Sequence, residues 1–184
     1  MTKIFLARHA SPNWEVKTIP YDIQPGPPLS LQGEKEAEAL AEFLKMQQIS
    51  KVYYSPFERS AKTAQIIAAH NQIPAVAEKR LAEWREADEQ GASVRVRMQT
   101  VFDELAAESS ISGSIALVSH GGPITFLLQS LGIAEAALAV YRKSFDTTNP
   151  LPPAGAWSAE WHAEPKTWSL QLVFTPATSS FTSA

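Results

Sequence analysis

A chain of 184 residues, 45% hydrophobic and 19% charged, has the composition of an ordinary globular protein and is expected to form one domain over residues 1–184, frayed at 175–184. A formal charge of -3 leaves no basic stripe for a phosphodiester backbone, so no nucleic-acid partner is expected and any positive site must be local. The lack of cysteine excludes disulfides, thiolate nucleophiles and thiolate metal sites, and no apolar run is long enough for a signal core or a bilayer span; a cytoplasmic protein with no membrane partner is expected.

Residues Lys3 to Arg8 open the chain with a short continuous apolar run, the pattern of a strand buried on both faces, and it ends in charge at Arg8 and His9. A loop follows that contains Pro12, Pro20, Pro25, Gly26, Pro27 and Pro28, too many breakers for a regular element. Ser30 then offers a helix N-cap, and Ala37, Leu40, Ala41 and Leu44 repeat at helical spacing behind it. A second strand is expected at Lys51 to Ser55, running into Ser55-Pro56-Phe57-Glu58, a capping box with proline at the first helical position; that helix should reach about His70. Pro74 to Ala77 suits a short edge strand, and Val94, Met98, Val101 and Leu105 share one face of a helix within 91–108.

Ile115 to Ser119 reads as the third buried strand, and a helix from Pro123 carries Ile124, Leu127, Leu128 and Leu131 on one side before Gly132 ends it. A connection with Pro150, Pro152 and Pro153 leads to two alternating runs, 156–162 and 167–174, around Glu164-Pro165-Lys166, which suit a terminal antiparallel hairpin. Strands alternating with helices predict an α/β fold, a three-layer sandwich with a mainly parallel central sheet flanked by helices.

In such folds ligands gather outside the carboxyl ends of the strands. Arg8 and His9 follow the first strand, Arg59 lies in the first turn after the second, and His120 follows the third. If the strands are parallel, these residues converge on one pocket. Guanidinium forks match phosphate oxygens, and the helix starts at Pro56 and Pro123 add backbone N–H groups, so a phosphoryl group is the expected ligand. No carboxylate cluster for magnesium and no zinc-ligand spacing stands out; no metal and no cofactor is expected, and Arg8, Arg59 and a protonated His120 would supply the charge.

Leu6-Ala7-Arg8-His9-Ala10 resembles the RHG signature of the histidine phosphatase (phosphoglycerate-mutase-like) superfamily. Leu29-Ser30-Leu31-Gln32-Gly33, Ser55 to Ala64, and Val118-Ser119-His120-Gly121-Gly122 resemble its further blocks, in the same order. The resemblance implies a phosphoglycerate-mutase-like fold and a metal-independent phosphatase in which His9 becomes transiently phosphorylated. Arg8, Arg59 and His120 would hold the phosphoryl group, next to Gly121. It also implies an acid within Leu81-Ala82-Glu83, with Glu86 and Asp88 as alternatives to Glu83. Ser11 and Asn13 suit phosphate contact or simple turn formation, and Trp14, Tyr21 and Trp84 suit pocket walls or packing. His70 and His162 lack comparable surroundings.

Ala10 stands where the family has glycine, and the usual acidic residue two places after the histidine is missing. The expected substrate is a phosphorylated small molecule or a phosphoprotein. Two alternatives stay open: a phosphoglycerate mutase, disfavoured by the short segment from Trp84 to Gly91, and a phosphate-binding regulatory protein without catalysis. His9 is expected to act neutral and His120 charged, with a bell-shaped pH profile.

Overall fold

A computed structural model describes residues 3–145 and 148–177 of the protein, so most of the tail expected to fray lies outside the described residues. In chain order the elements are β1 (Lys3–Arg8), α1 (Leu31–Met46), β2 (Lys51–Tyr54), α2 (Glu58–Asn71), β3 (Ala75–Ala77), a 3₁₀ turn (Lys79–Leu81), α3 (Gly91–Ser112), β4 (Ile115–Ser119), α4 (Gly121–Ser130), α5 (Glu135–Phe145), β5 (Ala156–His162) and β6 (Thr167–Phe174). The six strands form one sheet in the order β3-β2-β4-β1-β5-β6. The first four are mutually parallel, and β5 and β6 add an antiparallel pair beside β1.

The continuous apolar run of β1 is explained by its position between β4 and β5, with a core on each face. Ile4 and Leu6 pack into one cluster with Ile115, Leu117, Val94, Met98 and Leu127. Phe5 and Ala7, pointing the other way, pack with Val52, Ala116, Leu40, Leu44 and Ile67. The period of two along a strand thus divides β1 between the layer of α3 and α4 and the layer of α1 and α2.

Register fixes what lies at the sheet's carboxyl edge. Arg8 pairs with Ser119 across β1 and β4, and Tyr54 pairs with Val118 across β2 and β4, so all three strands end at one level. Ser30 caps α1 as its sequence suggests, its hydroxyl accepting from the Gly33 N–H at 3.0 Å. Gly33 must lack a side chain because a Cβ there would come within 2.1 Å of the Ser11 carbonyl oxygen.

Several expectations are corrected. The capping box at Ser55 does not form: α2 begins at Glu58, with Phe57 as an N-cap that makes no side-chain bond. Likewise α4 starts at Gly121, two residues before Pro123, capped by His120. Helix α3 continues to Ser112. Helix α5 has no counterpart in the sequence reading, because Leu138 is its one buried residue and a single position makes no periodic stripe.

Candidate active site

His9 and His120 each lie one residue beyond a paired strand end. The His9 N–H donates to the Ser119 carbonyl at 2.9 Å, and its own carbonyl accepts from Ala154 at 3.1 Å, so the backbone on both sides of the ring is held. The two imidazole centroids are 5.1 Å apart, and both residues are fully buried.

Arg59 joins them. It lies in the first turn of α2 and is itself fully buried, a position tolerated only where the guanidinium finds partners for its donors. Nε donates to His9 Nε2 at 3.0 Å, Nη1 to the Tyr21 carbonyl at 2.9 Å, and Nη2 to His120 Nδ1 at 3.1 Å and to Glu83 Oε2 at 3.3 Å. Arg8 Nη1 donates to the Leu151 carbonyl at 3.0 Å. The residues most strongly singled out by sequence, Arg8, His9, Arg59 and His120, therefore surround one small volume, and Glu83 joins them. Glu83 Oε2 is 3.4 Å from His120 Nδ1, and Oε1 accepts from the Trp84 N–H at 3.1 Å. The alternatives stand apart: Glu86 is exposed, and Asp88 is exposed and paired with Arg85 at 2.6 Å.

The tautomers follow from the partners. A carbonyl can only accept, so the 2.8 Å contact between His9 Nδ1 and the Ala10 oxygen places the proton on Nδ1 and the lone pair on Nε2. His120 Nδ1 accepts from Arg59, so its proton sits on Nε2 and is donated to Ser55 Oγ at 2.7 Å. That contact is what Ser55 does instead of capping a helix.

Burial, followed by the Arg59 and Arg8 charges, holds His9 well below the ordinary imidazole range. Burial, then His9 and the arginines, does the same to His120. The expectation that neighbours would drive the two apart is thus corrected: both rings are neutral near pH 7 in the free protein, and the fixed positive charge belongs to the arginines. Glu83 moves upward, because burial outweighs Arg59.

Side chains with no assigned role in the sequence reading hold this arrangement. Thr63 Oγ1 donates to the Arg59 carbonyl at 2.7 Å and accepts from the Ala10 N–H at 3.1 Å, fastening α2 to the residue after His9. Ser119 Oγ donates to the Leu81 carbonyl at 2.7 Å and so sets where the segment carrying Glu83 leaves the sheet. Both positions fell within motif blocks, which was the available signal. Gly26, in the proline-rich loop, lies over Arg59: its φ is +69° and a Cβ there would come within 2.5 Å of Nη1.

The expected phosphate contacts divide. Gly121 is the first residue of α4, where a backbone N–H is available to an anion. Ser11 is spent elsewhere, its N–H and hydroxyl both bonded to Glu36 at 2.8 and 3.0 Å. The Asn13 side chain accepts from the Glu15 N–H at 3.0 Å, a local turn. His70 pairs with Glu42 at 2.8 Å, and His162 contacts Ser169 at 2.8 Å.

His9, Glu83 and His120 also lie within 4.8 Å of one another, a spacing that suits a metal ion. Arg59 already bonds to all three. A guanidinium at the meeting point of those ligand atoms repels a second cation and leaves the cluster suited to an anion.

Residues 4–93 match the sequence model of the histidine phosphatase superfamily (branch 1). Phosphoserine phosphatase 1 of Hydrogenobacter thermophilus is 34% identical over 83 residues, which are 45% of this chain and 39% of that protein, so the chain aligns with well under half of that curated relative. Among solved structures, mycobacterial glucosyl-3-phosphoglycerate phosphatase superposes with a TM-score of 0.74 at 20% identity, covering 96% of this chain and 100% of the other. Phosphoserine phosphatase of Entamoeba histolytica, in complex with 3-phosphoglyceric acid, gives 0.70 at 18% identity, covering 97% and 98%. Phosphohistidine phosphatase SixA of Agrobacterium tumefaciens, named as putative, gives 0.69 at 20% identity over 95% and 98%. At these identities the structural likeness is one of fold.

Proposed function

We propose that the chain, whose residues 4–93 match the sequence model of the histidine phosphatase superfamily, is a member of that superfamily and hydrolyses a phosphate monoester, on a small molecule or a phosphoprotein, through a phosphohistidine formed on His9. One observation carries the reading: the Ala10 carbonyl fixes the His9 proton on Nδ1, so that Nε2 faces Arg59 as an unprotonated nucleophile.

In the first step His9 Nε2 attacks phosphorus in line, the N–P bond forms and the P–O bond to the leaving group breaks. Glu83, raised by burial toward its protonated form, gives its proton to the departing oxygen. In the second step Glu83, now a carboxylate, takes a proton from water as the water oxygen attacks phosphorus. The P–N bond breaks, inorganic phosphate leaves, and His9 and Glu83 return to their starting states. Arg8 and Arg59 hold charge on the phosphoryl oxygens throughout, and His120 takes up a proton when the dianion arrives beside Nδ1. The N-terminal N–H groups of α4 lie on the same side of the sheet edge.

The segment between Glu83 and α3 is only Trp84 to Gln90, a short cover for a reaction that would have to exclude water, and this favours hydrolysis over phosphoryl retention. The test is denaturant quenching of the enzyme during turnover of a phosphorus-labelled monoester in the presence of chelator. Acid-labile, base-stable label is expected on wild type and none on His9→Ala; turnover with no protein-bound label at any quench time overturns the proposal.

A further inference from the structure

The loop between β1 and α1 lies over the pocket as a strap. It is closed at its base by a bridge between Pro12 and Leu29 and by the Asn13 N–H donating to the Pro28 carbonyl at 2.8 Å, and it is fastened to α2 where the Glu58 N–H donates to the Pro25 carbonyl at 2.8 Å. Tyr21 is the strap residue that reaches the nucleophile. Its hydroxyl lies 3.2 Å from His9 Nε2, its carbonyl accepts from Arg59, and its ring lies 4.0 Å from the Arg59 guanidinium carbon.

These contacts are the ones a substrate needs. Because Nε2 bears no proton, the phenol donates to it, and the Tyr21 carbonyl takes an Arg59 donor that a phosphoryl oxygen would otherwise take. A phosphorus atom poised for attack stands roughly 3–3.5 Å from the attacking nitrogen. The phenolic oxygen already stands at that separation, and the two cannot share the space. Tyr21 is only partly buried. Its ring stacks on Trp14 with centroids 5.0 Å apart and planes at 18°, and Trp14 is 63% exposed, so the outer part of the stack can move with little loss of buried area.

We propose that Tyr21 is a displaceable plug: in the free enzyme its hydroxyl occupies the phosphoryl position, and substrate enters by exchanging Tyr21's contacts with His9 and Arg59 for its own. This rests on the reading of the pocket as a phosphoryl site. It makes Tyr21 a competitor of substrate rather than a ligand to it, and makes the strap's displacement a step of binding.

The experiment is calorimetric titration of wild type and Tyr21→Phe with inorganic phosphate, which keeps the ring, its stack and its cation contact and removes only the hydroxyl. With one net hydrogen bond of competition removed, phosphate should bind roughly two- to tenfold more tightly to Tyr21→Phe. Weaker binding would show the hydroxyl to be a phosphoryl ligand, and unchanged binding would show that it does not compete; either overturns the plug. A second measurement needs no Tyr21 variant: saturating phosphate should change tryptophan fluorescence in wild type, and the change should vanish in Trp14→Phe. A signal that persists in Trp14→Phe, or no signal at saturation, also overturns it. Arg59→Ala separates the two proposals, since phosphate binding that survives this substitution would place the anion elsewhere and remove the phosphoryl-site reading, and the plug with it.

Discussion

Replacing Glu83 by glutamine removes the transferable proton while keeping the side chain's size and its contact to Arg59. The glutamine keeps one oxygen to accept from Arg59, where Oε2 now stands 3.3 Å from Nη2, but its NH2 cannot replace the oxygen that accepts from the Trp84 N–H, so the site loses one loop hydrogen bond while the contact to Arg59 and the anion pocket are retained. The proton is lost. General acid catalysis is worth roughly 10²- to 10⁴-fold, which at about 1.36 kcal/mol per tenfold is about 2.7 to 5.4 kcal/mol of transition-state stabilisation. That loss should fall selectively. An alkyl phosphate has a basic leaving oxygen and should lose the full factor in kcat/KM. A nitrophenyl phosphate expels an oxygen that needs no proton, so its first step should survive, while hydrolysis of the phosphohistidine, which needs the carboxylate as base, should slow. Rapid mixing with the aryl ester should then show a burst of nitrophenol near one equivalent, with labelled His9 accumulating. The pH profile supplies a second reading. Glu83 must be protonated to act as acid, so the alkaline limb for alkyl esters belongs to its raised pKa and should vanish in the glutamine variant. The acid limb belongs to protonation of His9, whose pKa is depressed, and should remain. Equal losses for alkyl and aryl esters, with no burst and an unchanged alkaline limb, would refute the assignment.

Gly26→Ala should lower both activity and phosphate affinity without unfolding the protein, because its Cβ would stand 2.5 Å from Arg59 Nη1 on a backbone at φ +69°; steady-state kinetics beside circular dichroism reads this. Ser119→Ala leaves the Leu81 carbonyl without the 2.7 Å hydroxyl that now donates to it, so urea unfolding should show a loss of about 1–3 kcal/mol, and kcat should fall because the segment bearing Glu83 shifts. Both site imidazoles have folded-state values well below 6.5. The unfolded chain therefore binds more protons as the medium acidifies, and this contribution to stability, present above pH 6.5, is lost as the pH falls from there through the depressed values. Melting temperature should drop across that window less steeply in a His9→Gln, His120→Asn double variant than in wild type.

Much of the fold was legible because burial leaves a periodic trace. Strand β1 has apolar residues on both faces since it is covered on both, and Ala37, Leu40, Ala41 and Leu44 mark α1 since its other faces are wet. Helix α5 left no such trace with Leu138 alone buried. The convergence of Arg8, His9, Arg59 and His120 could be reasoned from strand ends, because parallel register brings carboxyl ends together whatever the loops do. Ser55 shows the limit of local reading: Ser-Pro-Phe-Glu is equally good as a capping box, and only the position of His120, 65 residues later, turns the hydroxyl into a partner for an imidazole. Tyr21 lies among prolines with no spacing to single it out. The lowered pKa of His120 in the free site was not legible for a related reason: sequence shows which ionisable groups exist, whereas the direction of a buried pKa depends on how much water the fold removes.

That removal of water bears on why the free pocket is arranged as it is. Arg8 and Arg59 are nearly or fully buried, and both site histidines are kept neutral. Two guanidiniums in a dry site are tolerable only where acceptors meet most of their donors. Arg59 meets the Tyr21 carbonyl, both imidazoles and Glu83, while Arg8 meets the Leu151 carbonyl. None of these acceptors carries the two negative charges of a phosphoryl group, so they satisfy geometry while leaving the field of the arginines incompletely answered. A dianion improves on every one of them that it replaces. Affinity is then a difference between two sets of contacts, and Tyr21 of the strap, with its carbonyl and ring on Arg59 and its hydroxyl on His9, sets how much of the site's attraction is left for a substrate. A monoanionic diester, offering half the charge against the same internal competitor, should be excluded more strongly than its size alone would dictate.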